Sequence, residues 1–127
     1  MQMNTPPLYE NSIVSIWQRD DGIVHAKIKT NDISFDHIEE TIQFIDKQFK
    51  GEKIKCSLDI KQAQQSKKVF RNQVSKILPK YIDALAVIGG SPISRVLFNV
   101  YKSLWPKDFI IKLFPTQKEA HQWLNTL

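Results

Sequence analysis

Cysteine is almost missing from this chain. Cys56 stands alone in 127 residues, so no internal disulfide can form and no Cys-x-x-Cys pair offers a zinc or redox site. A lone cysteine in Lys55-Cys56-Ser57-Leu58 reads as a buried strand residue. Glycine is scarce too, with only 4 residues, and neither the P-loop nor the dinucleotide-binding fingerprint occurs. There is no Gly-x-Ser-x-Gly nucleophile elbow. The three histidines, His25, His37 and His121, have no second ligand three or four positions away on a helix, which argues against a metal. No cofactor is expected. No run approaches the roughly 18 apolar residues that a membrane span requires. The first residues lack the basic and apolar regions of a secretory signal, so a cytoplasmic location is expected.

What is present suits a single soluble domain. Hydrophobic residues make up 42% and charged residues 24%, enough for one sizeable core. The net charge of +5 raises the question of an anionic partner. However, basic and acidic residues interleave along the chain. The nearest approach to a patch, Lys67, Lys68, Arg71, Lys76 and Lys80, is spread over more than one helix face. A solvated surface, not a nucleic-acid site, is the reading.

Periodicity gives the order of elements. Residues 1–11 form a flexible lead-in, and one domain covers residues 12–127. Ser12–Trp17 and Ile23–Ile28 are β-rich runs joined by Arg19-Asp20-Asp21-Gly22, a hairpin turn. The second run places Ile23, His25 and Lys27 on one face and Val24, Ala26 and Ile28 on the other. Ile38, Ile42, Ile45 and Phe49 mark a first helix, stopped at Gly51. A strand over Ile54–Ile60 follows, then a second helix that Pro79 should end. Ile82–Ile88 is a nearly continuous apolar run, suited to a central parallel strand buried on both faces. Gly89-Gly90-Ser91-Pro92 turns the chain and caps a third helix reaching about Leu104. Phe109–Phe114 is the last strand. Thr116 and Glu119 form a capping box for a final helix bearing Ala120, Trp123 and Leu124. The order ββαβαβαβα defines an α/β fold with an N-terminal antiparallel hairpin, four parallel strands and helices packed on the sheet.

Four ordered stretches carry a family resemblance: Trp17-x-Arg19-Asp20-Asp21-Gly22-Ile23-Val24, Leu58-Asp59-Ile60, Gly90-Ser91-Pro92-Ile93-Ser94-Arg95-Val96, and Lys112-Leu113-Phe114 with Glu119-Ala120-x-x-Trp123-Leu124. Their combination resembles the small bacterial STAS-like proteins, related to the anti-sigma-factor antagonists and to STAS/SEC14 domains. The resemblance implies sequential strand order and a non-enzymatic binding or regulatory module. In the antagonist branch a phosphorylatable Ser or Thr opens the second helix within an Asp-Ser-Ser-Gly-like motif. Here Lys61-Gln62-Ala63-Gln64-Gln65-Ser66 takes that place, without the acidic residue or the glycine, and Ser66 is the approximate counterpart.

Two further places suggest binding. The turn before the third helix would expose backbone N–H groups, and Gly90, Ser91, Ser94 and Arg95 could hold a phosphate or carboxylate. A plain capped turn explains the same residues. On the third helix, Ile93, Val96, Leu97, Val100 and Leu104 already complete a core stripe. Phe98, Tyr101 and Trp105 widen the apolar arc to roughly 200°, more than one-sided packing needs. With Lys102 they form a candidate interface for a protein partner or a second copy of the chain. The alternatives are cover by a neighbouring segment and a pocket for a small apolar or anionic ligand, as the SEC14 resemblance implies.

Overall fold

A computed structural model of the chain describes residues 5–63, 76–89 and 105–127. Six strands form one sheet in sequential order: β1 (Tyr9–Glu10), β2 (Val14–Gln18), β3 (Val24–Ile28), β4 (Ile54–Asp59), β5 (Ile82–Ile88) and β6 (Ile110–Phe114). β1, β2 and β3 pair antiparallel, and β3 to β6 run parallel. The hairpin and the four parallel strands are those expected. β1 is an addition within the stretch read as a flexible lead-in. Leu8 N–H also bonds the Ile16 carbonyl at 2.7 Å, and Trp17 Nε1 donates to the Thr5 carbonyl at 3.0 Å. Edge pairing orders this segment although it lacks an apolar period of its own.

The β2–β3 turn closes as Arg19–Gly22 require. Arg19 N–H reaches the Ile23 carbonyl at 2.9 Å, and Gly22 takes φ 87°, a conformation in which a side chain would be strained. Asp21 Oδ1 accepts from Ile23 N–H, which fixes the start of β3.

Helix α1 (Phe35–Phe49) begins at Ser34, whose hydroxyl accepts from His37 N–H. It ends one residue earlier than Gly51 suggests, because Lys50 itself takes the left-handed cap at φ 52° and Gly51 follows at φ 81°. Pro79 does not end its helix, since residues 76–81 are all helical. A proline within a helix loses its own ladder bond and crowds the preceding turn, a cost that packing can offset, and Leu78 and Tyr81 on either side of it pack against the larger core cluster.

The alternation of the strands divides the core in two. One face gathers Val14, Ile16, Val24, Ala26, Ile54, Cys56, Leu85 and Val87, with Ile38, Phe44, Phe49 and Leu78 packed against it. The opposite face gathers Ile23, Ala84, Ala86 and Ile88 beneath the last helix, α2 (Gln117–Leu124), which contributes Ala120 and Leu124. β5 therefore has apolar neighbours on both sides, as its sequence predicts. Alanines at 84, 86 and 120 let helix and sheet approach closely. Thr116 caps α2 by accepting from Glu119 N–H at 3.3 Å.

Candidate functional site

A register row crosses the α2 side of the sheet: Trp17, His25, Ser57, Ala86 and Lys112 stand abreast on β2 to β6. Two of these five are polar and fully enclosed. Ser57 is 0% exposed and His25 2%, and His121 descends on them from α2 at 5%. Their polar atoms form a chain. His25 Nδ1 lies 2.6 Å from Ser57 Oγ, and Ser57 Oγ lies 2.8 Å from His121 Nε2. The rings meet edge to face at 5.4 Å, and Trp17 lies 5.8 Å from His25 on the outer side.

Buried polar groups persist where their hydrogen bonds are made, and this cluster meets that condition. A neutral imidazole has one donor and one acceptor nitrogen, and a hydroxyl has one proton and two lone pairs. One ring therefore accepts the Ser57 proton while the other donates to the Ser57 oxygen. Burial is the main force on both titrations and pushes each histidine down to about 4. For His25, Asp59 opposes this, while Arg19 and Lys27 add to it; for His121, Arg19 and His25 add to it and Asp21 opposes it. Both rings are neutral at pH 7.

The surroundings hold α2 at its far end. Asn125 Nδ2 donates to Asp21 Oδ2 at 3.2 Å, and Arg19 pairs with the same carboxylate at 3.2 Å. Burial acts to raise the Asp21 carboxyl, but the bonds from Asn125 and Ile23 and the Arg19 charge outweigh it, so it lies below its ordinary value. Lys55 Nζ donates to the Leu127 carbonyl at 2.7 Å. An open cleft of about 280 Å³ lies beside these residues at the amino ends of β3 and β4. Its charged lining (Asp21, Glu52, Lys53, Lys55) is unlike the apolar wall of most small-molecule pockets.

Of the residues singled out by sequence, Ser66, Gly90, Ser91, Ser94, Arg95, Phe98, Tyr101 and Lys102 lie outside the described residues. Trp105 is described and partly buried. It stands edge-on to Phe109 at 5.5 Å and packs against the larger core cluster, so part of its ring serves the fold. Lys76 and Lys80, from the scattered basic set, are exposed. Cys56 is buried, and burial raises its thiol to about 12, which keeps it protonated and unreactive. Among the described residues, no group of three His, Cys, Asp or Glu side chains could hold a metal ion, and no helix is long and apolar enough to cross a membrane.

The His25–Ser57–His121 contact is what sequence reasoning missed. His25 and Lys27 share one face of their strand, as the two-residue alternation predicts. The available signal was Ser57, a small polar residue centred in an apolar strand, but nothing in the sequence aligned it with His25 or brought His121 onto both.

An antiparallel hairpin followed by parallel strands in sequential order, with helices against the sheet, is the SpoIIAA-like (STAS-like) architecture. A crystallised protein of the DUF3478 family from Shewanella loihica PV-4, described as having a SpoIIAA-like fold, superposes with a TM-score of 0.67 at 17% identity, over 98% of each chain. The chain belongs to the DUF7793 family, a domain of unknown function, whose profile matches residues 16–127. An Arthrobacter sp. FB24 protein of unknown function aligns at 19% identity and a TM-score of 0.32, over 88% of this chain and 92% of that one. No curated protein matches the chain.

Proposed function

We propose that the chain is a non-catalytic, regulatory interaction module of the cytoplasm, engaging a protein partner or a second copy of itself through the segment bearing Phe98, Tyr101 and Lys102. The observation that carries this reading is the enclosure of Ser57. Flanked by two imidazoles, it is 0% exposed, and both rings already hydrogen-bond it. A nucleophile must reach its substrate, and this one reaches only its neighbours. The SpoIIAA-like fold and the run of apolar and aromatic residues in the sequence from Ile93 to Trp105 support binding in place of chemistry.

The test replaces Phe98 and Tyr101 by Ser and leaves Trp105 intact because it packs on Phe109. Light scattering should show a lower oligomeric mass, or a pull-down should lose a partner that the wild-type chain retains, with melting temperature little changed. Unfolding with unchanged association would refute the interface. A small molecule retained in native mass spectrometry and lost with Arg95→Ala would instead favour a ligand-binding module.

A further inference from the structure

Helix α2 is only eight residues long, and a helix of that length is not stable in water unaided. It stays in place through what it docks against. Ala120 and Leu124 meet Ile23, Ala84, Ala86 and Ile88, and Trp123 lies 5.5 Å from Phe114. Its one buried polar anchor is His121, bonded to Ser57 and through it to His25.

That anchor tolerates one charge state. Protonating the ring that accepts from Ser57 turns its nitrogen into a second donor aimed at the same oxygen and leaves the hydroxyl proton to find another acceptor. Protonating the other ring places a cation in an enclosed site with a second imidazole 5.4 Å away. We propose that the His25–Ser57–His121 chain is an acid-released latch: proton uptake frees α2 from the sheet while β3 to β6 remain folded.

The charges facing the latch come from several elements. Arg19 and Asp21 lie in the β2–β3 turn, Lys27 on β3 and Asp59 on β4. Arg19 and Lys27 resist a further cation, and the two carboxylates favour it. Burial outweighs both, so each ring gains its proton only near pH 4 in the docked state, against 6.5 when exposed. The cluster on the opposite face is built of apolar side chains and Cys56, whose thiol burial raises to about 12, and the histidine on that side, His37, sits at the start of α1 on the Ser12 and Ser34 hydroxyls. Of the enclosed imidazoles, His25 and His121 both lie on the α2 side of β5, so proton uptake in the core falls on that side. Release bares the apolar strip of Ile23, Ala84, Ala86 and Ile88.

Hydrogen exchange by mass spectrometry on the intact chain, corrected for intrinsic rates and followed from pH 7 through the interval between 6.5 and about 4, reads the order of opening. Peptides of residues 117–125 should lose protection at a higher pH than those of residues 84–88. The variant His25→Asn with His121→Gln keeps an amide donor and acceptor near each bonded nitrogen but cannot be protonated. Its α2 release should move down by about one pH unit or more. Simultaneous loss of protection in α2 and β5 of the wild-type chain, or release of the variant at the wild-type pH, overturns the latch. If the variant does not fold, NMR titration of the wild-type rings decides: ring protonation together with α2 release supports it, and ring titration near 6.5 with α2 still protected overturns it.

Discussion

His121 Nε2 stands 2.8 Å from Ser57 Oγ across 64 residues of sequence, tying the last helix to a central parallel strand. Because the hydroxyl also meets His25, removing it strands two imidazole nitrogens in an enclosed site. Ser57→Ala should lower stability by about 1–3 kcal/mol, the cost of unpaired buried polar groups. Urea denaturation gives the measurement, and a variant as stable as wild type would show that the bonds contribute nothing.

Overall stability should fall with acid over a defined window. His25 and His121 are each lowered to about 4 in the folded chain from an ordinary 6.5. Between those values the unfolded chain binds more protons than the folded one, so stability is highest above pH 6.5 and declines as pH falls towards about 4. At about 1.4 kcal/mol per pKa unit, discounted for solvent screening near His121, the two groups amount to a few kcal/mol. Urea midpoints at pH 7 and at pH 4.5 test this; equal midpoints would contradict it.

Cys56 should resist thiol reagents. Its side chain is buried in the larger core cluster on one face of the sheet, and burial raises its thiol to about 12, so almost no thiolate exists at pH 8. Iodoacetamide should leave the native chain unmodified and label it fully in guanidinium, as read by intact mass. Rapid labelling of native protein would mean that β4 is open.

Asn11 is a second polar anchor of the fold. Its Oδ1 accepts from the Ile13 and Val14 N–H groups at 2.9 and 3.0 Å, and its Nδ2 reaches Tyr9 Oη, Thr41 Oγ1 and the His37 carbonyl. It thus holds the β1–β2 turn against α1, where Tyr9 and Phe44 stack at 4.5 Å. Asn11→Ala should cost about 1–2 kcal/mol and loosen β1 first. Raised hydrogen exchange in residues 8–12, with β5 unchanged, is the expected signature.

Local chemistry made most of the scaffold readable. Gly22 and Asp21 specify the hairpin turn, Ser34 and Thr116 supply side-chain oxygens for helix starts, and the unbroken apolar run of β5 requires cover on both faces. Pro79 misleads because the packing of Leu78 and Tyr81 can offset a proline's cost within a helix. β1 escapes notice because edge pairing with β2, not periodicity, holds it in place.

Among the described residues, and apart from β1, the sequence by itself determined the order of the strands, the parallel sheet, and the face of β3 that carries His25, since these follow from turns, caps and two-residue alternation. It also marked β5 as a strand buried on both faces. Only the tertiary structure decided that His25, Ser57 and His121 form one buried chain. Strand register aligns the first two, and the docking of α2 brings in the third. Register and docking are set by contacts between residues distant in sequence, and no local pattern encodes them.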